Sequence, residues 1–217
     1  MLAEANMLLC SIGCVVVGYL IGSISFGYLV GKKKKIDIAN QGSGNLGATN
    51  ALRTTGIRGG LATLSGDLLK ALIPALLVKF WLFKGMEGNA YGLYSTEYFV
   101  LLTGLAVVLG HDFPFWRKFK GGKGMASSGG TMLVLNFPMS FVLLIMMIFV
   151  VATTKYVSLA SILAAVFINI GMLICFPGQW VLIGLVFVYA VLAVWSHRSN
   201  ISRLLQGKEN KISFKKK

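Results

Sequence analysis

Two stretches of this chain run without a charged residue for longer than a soluble core helix needs. Residues 124–154 are 31 such positions, and residues 156–196 are 41, interrupted near Pro177 and Gly178. A third run, residues 7–31, holds 25. Roughly 20 apolar residues cross a bilayer as a helix, and inside hydrocarbon only helices or closed barrels satisfy their own backbone. The chain therefore reads as an all-α, polytopic helical membrane protein with one domain over residues 1–217. A mean hydropathy of +0.75 and 56% hydrophobic residues would leave a soluble fold too little polar surface to cover its core. The first run is too long for a signal-peptide core, with no basic segment ahead of it and no small-residue cleavage pattern behind it.

The positions of the cations give the threading. Of 21 Lys and Arg residues, six lie in residues 32–58, four in 117–123 and seven in 198–217. Cations packed into short loops beside spans mark the cytoplasmic side, which also accounts for the net charge of +14 without invoking nucleic acid. The expected spans are residues 7–31, with Gly18, Gly22, Gly27 and Gly31 allowing close helix contact, then about 60–83 and about 96–115. The second carries Asp67 and Lys70 three residues apart on one face, where they can pair. Residues 124–154 pose a parity problem: as one helix they would bring the lysine-rich end of the chain out on the wrong side. As two short spans broken near Asn136 and Pro138, they place every lysine-rich loop in the cytoplasm. Two more spans follow, with a turn at Phe176, Pro177 and Gly178. The expectation is seven spans, N-terminus outside and C-terminus inside, with residues 208–217 as a basic tail. Cys10, Cys14 and Cys175 lie within spans and read as small apolar residues rather than a disulfide or metal set.

Three polar clusters interrupt the apolar chain: Gly42-Ser43-Gly44-Asn45-Leu46-Gly47-Ala48-Thr49-Asn50 with Arg53; His111-Asp112-Phe113-Pro114 with Lys120-Gly121-Gly122-Lys123-Gly124; and His197-Arg198-Ser199-Asn200 with Arg203. In the expected topology all three reach the cytoplasmic face. Their content is backbone N–H donors, hydroxyls, amides and cations, which suits phosphate. Asn45, Thr49 and Arg53 follow one another at helical spacing, as do His197, Asn200 and Arg203, and Lys120 and Lys123 flank a glycine turn ahead of a helix. His197 is a candidate base or phosphate ligand. With only seven Asp and Glu residues there is no carboxylate cluster to hold Mg²⁺. Nor is there a P-loop, a nucleophile elbow or an H-x-x-x-x-D dyad. The chemistry is expected to use no metal or cofactor and to act on an anion that is already activated.

These residues strongly resemble the bacterial acyl-phosphate:glycerol-3-phosphate acyltransferase family, whose three motifs they match in order, over nearly the family's usual length. The resemblance implies a multi-pass protein of the bacterial inner membrane. Its reaction would transfer a fatty acyl group from acyl phosphate to the 1-hydroxyl of sn-glycerol 3-phosphate, giving lysophosphatidate and phosphate at the cytoplasmic face without a cofactor. It further implies that Ser43, Gly44, Asn45, Thr49, Asn50, Arg53 and Lys123 surround phosphate groups, and that His197 and Asn200 orient glycerol 3-phosphate. One of Ser158 and Ser161, in a further matching stretch, would contact substrate. His111 and Lys120 match the pattern and are placed with the substrate-binding set, although either could serve structure instead. Membrane lipid is the expected environment and a single subunit the expected unit. The competing reading, a transporter of a small phosphate ester, requires an inverted repeat, and the first motif has no counterpart of matching spacing. An alcohol phosphatidyltransferase would need the missing carboxylates.

Overall fold

A computed structural model describes residues 2–212, with the side chains of residues 2–4 left undescribed. Every regular element in it is helical. Helix α1 (Leu2–Gly22) is followed, after the Ser23–Ser25 corner, by α2 (Phe26–Lys34). Ser25 caps α2 by accepting from the Tyr28 N–H. The helix ends at Lys35, which adopts φ 56° and follows three lysines in the last turn. Helix α3 (Ala48–Leu77) breaks at Gly56, where φ is 79°, and continues through a π-helical turn at Val78–Leu82. The remaining helices are α4 (Thr96–Asp112), α5 (Met125–Leu135), α6 (Phe137–Thr154), α7 (Val157–Cys175), α8 (Trp180–Ser196) and α9 (Arg198–Leu205).

Among the described residues, five helical stretches are long and apolar enough to cross a membrane. They are Ala5–Lys34, Ala48–Leu82, Thr96–Arg117, Phe137–Thr154 and Val157–Cys175. Helices α8 and α9, bent by 57° at His197, make a sixth if taken together. The second expected span begins earlier than residue 60, because the first polar cluster runs straight into α3 and only Gly56 separates the two. The break expected near Asn136 is present. The Asn136 side chain accepts from the Met139 N–H at 3.0 Å, and Pro138 sits in the first turn of α6. What length alone does not grant is a full crossing by α5: 11 residues rise about 17 Å. Its last carbonyls have no intrahelical partners, and Lys79 supplies them, donating to the Val134 oxygen at 2.6 Å and the Leu135 oxygen at 3.3 Å.

The expected glycine contacts are present. A Cβ on Gly18 would strike the Thr103 carbonyl and one on Gly22 the Val107 carbonyl, so both let α1 lie directly on α4. Gly27 makes the same room for the Leu46 carbonyl. Phe99, Leu101, Met172, Leu182 and Val186 form the sealed centre between α4, α7 and α8. Helix α4 is the most enclosed, and α5 packs against it and α3. Helices α6 and α7 pack on each other, and α6 also meets α5. A cleft remains over the short α5, with α3 on one side and α6 on the other. The three cysteines are free.

Candidate active site

Residues 41–47 form a loop folded around one side chain. Asn50, 2% exposed, accepts from the Ser43 N–H at 2.9 Å through Oδ1. Its amide nitrogen donates to the carbonyls of Ile38 (3.1 Å), Gln41 (3.0 Å) and Asn45 (2.9 Å). Gly42 and Gly44 supply the positive φ angles, 60° and 72°, that let the loop close on it. Asn45 accepts from the Gly47 N–H at 2.8 Å. Asn50 therefore shapes the loop with its amide hydrogens committed to carbonyls and its oxygen to the Ser43 N–H, while Ser43, Thr49 and Arg53 line the cavity.

These residues line one wall of a cavity of about 380 Å³. Lys123, His197, Asn200, Ser158, Ser161 and His111 line the rest of its polar end. The three clusters, separated by more than 140 positions along the chain, thus meet in one space. Beyond the polar end the lining becomes apolar, with Leu68, Met125 and Met132 on one side and Ala164, Ile168 and Ala190 on the other. Leu64 of α3 and Leu144 of α6 stand at its outer rim, 43% and 47% exposed, so the cavity opens sideways where a bilayer would lie.

At the polar end one carboxylate gathers a cation, an amide and a hydroxyl. Glu209 accepts from Arg203 Nε at 2.8 Å, from Asn200 Nδ2 at 2.8 Å and from Ser158 Oγ at 3.1 Å. Asn200 Oδ1 in turn accepts from Lys123 Nζ. Arg53 donates to the Asn210 carbonyl at 3.1 Å. Residues 208–212 are held down by the Lys208 N–H on the Arg203 carbonyl and the Ile212 N–H on the Lys155 carbonyl, both at 2.8 Å. The segment expected as a basic tail is, in its first half, folded onto the site; residues 213–217 lie outside the described residues.

Burial and the neighbouring Arg203 and Arg53 lower the Lys123 ammonium from 10.5 to about 8, partly offset by Glu209. His197 is lowered from 6.5 to about 4, first by burial and then by Lys123. Its Nδ1 lies 2.7 Å from the Ala193 carbonyl, which can only accept, so Nδ1 carries the proton and Nε2 a lone pair. Ser161 donates back to its own helix at the Val157 carbonyl, 3.0 Å away.

Eleven of the thirteen expected site residues line the cavity; Gly44 and Lys120 do not. Gly44 faces the Ala39 carbonyl. Lys120 is exposed because Lys118 and Phe119, both at positive φ, turn the chain outward. The glycine pair between the lysines packs on His111, with the Gly122 N–H donating to the His111 carbonyl at 3.0 Å. Glu209 is the site residue the sequence reading passed over. Its signal was available, since it is the one carboxylate among the seven cations of residues 198–217. Among the described residues no three His, Cys, Asp or Glu side chains converge as a metal-ligand set.

An apolar cleft that opens toward lipid and ends in a cluster of cations and hydroxyls defines a membrane-embedded site for a molecule with an oily tail and an anionic head. The family described as glycerol-3-phosphate acyltransferase matches residues 12–207, and the chain belongs to that family of enzymes. A glycerol-3-phosphate acyltransferase of Shouchella clausii is 41% identical over 217 residues, covering 96% of this chain and 99% of the relative. One from Thermotoga petrophila is 42% identical over 204 residues, with 93% and 96% covered. The fold is similar to crystal structures of PlsY (YgiH), an integral membrane glycerol 3-phosphate acyltransferase. Its glycerol 3-phosphate form gives a TM-score of 0.82 and its lysophosphatidic acid form 0.80. Both are 33% identical, with 94% of this chain and 96% of the other covered.

Proposed function

We propose that this protein transfers a fatty acyl group from acyl phosphate to the 1-hydroxyl of sn-glycerol 3-phosphate, releasing lysophosphatidate and inorganic phosphate. The observation that carries this reading is the meeting of Ser43, Thr49, Arg53, Lys123, His197 and Asn200 at the polar end of a cleft whose other end is apolar. Two phosphorylated substrates repel one another. A unit charge pair about 4 Å apart costs roughly 4 kcal/mol at an effective dielectric of about 20. Arg53, Lys123 and the loop N–H groups oppose that repulsion. Acyl phosphate carries its own good leaving group, so positioning and oxyanion stabilisation remain for the protein.

His197 holds the glycerol through the Nε2 lone pair, accepting from the hydroxyl next to the attacking one and leaving the attacking hydroxyl's proton free to transfer. With its pKa near 4 it is a weaker base than a phosphate monoester, whose second pKa is about 6; a substrate phosphate oxygen therefore takes the hydroxyl proton. Accordingly, His197→Ala raises the KM for glycerol 3-phosphate and lowers kcat by about 10²-fold, yet keeps the acid limb of kcat between about pH 6 and 7. Loss of that limb in the variant would make His197 the base instead.

We further infer seven membrane-embedded helices, with α5 a short crossing closed off by Lys79. The N-terminus faces outward, and the lysine-rich loops, the C-terminus and the active site face the cytoplasm, in the inner membrane of a bacterium. The catalytic unit is a single subunit, since one chain supplies every group invoked. The deciding assay uses purified protein, EDTA, palmitoyl phosphate and glycerol 3-phosphate, with palmitoyl-CoA in a parallel tube. Lysophosphatidate from the first tube only is the expected outcome; product only from the CoA tube would overturn the donor. No product with both substrates bound would shift the reading to carriage of a phosphate ester.

A further inference from the structure

The chain has two histidines, both line the same cavity, and their inner nitrogens are tied in opposite ways. His197 Nδ1 faces a carbonyl and must donate. His111 Nδ1 faces a donor: Lys70 Nζ lies 2.8 Å away. The Lys70 ammonium, 6% exposed, also donates to the Ile24 carbonyl at 2.8 Å and to Asp67 Oδ1 at 2.9 Å. An ammonium has three protons to give and no lone pair to receive one, and here three acceptors take all three. His111 Nδ1 therefore holds a lone pair, and its ring proton sits on Nε2. The longer 3.4 Å from His111 Nδ1 to Asp67 Oδ1 fits a carboxylate already engaged by Lys70. Asp112 adds charge nearby, but one of its oxygens accepts from Ser196 Oγ at 2.8 Å and the other has no partner, so it does not compete for the ring.

The far end of the His111 ring lies against Gly122, where any Cβ would run into Nε2. Among the described residues Nε2 has no hydrogen-bond partner, and it is not among the unpartnered atoms sealed from solvent. His111 also meets α3 at Asp67, which lines the same cavity as its chain neighbours Leu64 and Leu68. An acyl phosphate with its phosphate among the cations and its chain along Leu64, Leu68 and Met132 would place its carbonyl between the two sets.

We propose that Asp67 and Lys70 are positioning residues that hold His111 as the Nε2–H tautomer, and that this N–H donates to the acyl carbonyl oxygen as it becomes an oxyanion. The proposal rests on the acyl-transfer reading. In the step it serves, the glycerol hydroxyl oxygen bonds to the carbonyl carbon and the carbonyl π pair moves to oxygen. That pair then returns, and the bond from carbon to the phosphate oxygen breaks with its electrons leaving on phosphate. The hydroxyl proton passes to a substrate phosphate oxygen. The two histidines are thus complementary: one holds the acceptor by its neighbouring hydroxyl, the other donates to the electrophile.

The test uses the full chain labelled with ¹⁵N-histidine in detergent at neutral pH, where only two imidazoles contribute to the ring correlations and His197→Ala assigns them. One Nδ1–H ring (His197) and one Nε2–H ring (His111) are expected; an Nδ1–H or doubly protonated His111 overturns the proposal. Lys70→Met is expected to convert His111 to Nδ1–H and to lower kcat while KM for glycerol 3-phosphate changes by less than about 3-fold, as when an interaction made only in the transition state is lost. His111→Gln keeps a donor at the Nε2 position and His111→Asn does not. The asparagine variant is expected to lose about 10²–10³-fold in kcat, the cost of one oxyanion donor, and the glutamine variant about tenfold less. Equal kcat in the two variants would overturn the donor role even with the tautomers as stated. If wild-type protein shows the expected tautomers but forms no lysophosphatidate, the acyl-transfer reading fails and the tautomer assignment stands.

Discussion

Lys123→Ala is expected to lower kcat/KM by about 10³-fold, the range seen when a preorganised charge that faces the transition state is removed. The structure gives two reasons. Lys123 is the cation that bridges the clusters, bonded to Asn200 and lining the cavity opposite Arg53. It is also the cation most altered by its surroundings, its ammonium lowered to about 8 by burial and by two arginines. The sign of the pH effect follows. In the proposed role the protonated form binds phosphate, so kcat/KM, which reports the free enzyme, is expected to fall as pH rises through about 8 rather than near 10.5. Lys123→Arg restores a charge that persists above pH 12, at the cost of geometry. Its kcat/KM is expected about tenfold below wild type at pH 7, with the alkaline limb gone. An alkaline limb near 8 that survives in the arginine variant would assign that titration to another group.

Glu209→Ala is the second large effect. The carboxylate holds Arg203, Asn200 and Ser158 at once. Its removal leaves a guanidinium without its anion and two site side chains without an acceptor, at about 2–3 kcal/mol of stability for charge-assisted bonds lost from a largely buried group. Activity is expected to suffer more than folding. Asn200 would no longer present Lys123 at its position, and misplacement by about 1 Å costs on the order of 10²-fold. Glu209→Gln keeps the shape and one acceptor and is expected to fall between wild type and alanine. Steady-state kinetics beside a thermal unfolding curve separate the two contributions. Wild-type kinetics in Glu209→Ala would show that the carboxylate does not place Asn200 and Ser158.

The parts of this fold that were legible in the sequence are those fixed by short-range rules. Asn136 followed by Pro138 ends one helix and caps the next whatever surrounds them. Gly18 and Gly22, four apart on an apolar helix, announce a close neighbour before that neighbour is known. Asp67 and Lys70 face each other because three residues is most of a turn, and they do pair at 2.9 Å. What was not legible depends on distant chain. Glu209 becomes a site residue only because residues 208–212 fold back to Ser158, 51 positions away. Asn50 looks like a ligand in the motif, yet its amide is filled by three carbonyls that only the folded loop brings together. Lys120 and Lys123 are alike in sequence; one points out and the other in because of two positive φ angles between Arg117 and Lys120. Cluster spacing reveals which residues share a helix face, and says nothing of how a loop between helices turns.

With acyl phosphate as the proposed donor, the sideways opening at Leu64 and Leu144 also determines which concentrations the enzyme responds to. A donor that enters through that rim arrives from the leaflet, where its supply is set by its fraction among neighbouring lipids and not by its amount per volume of water. On the proposed reading, the phosphorylated acceptor and the released phosphate exchange with the aqueous side at the polar end of the cavity, near Ser43 and Lys123. Diluting the membrane with inert lipid slows such an enzyme at constant total donor, whereas diluting the whole suspension lowers only the acceptor supply. On that reading the acylated product leaves by the rim its donor entered, already in the bilayer and never crossing water.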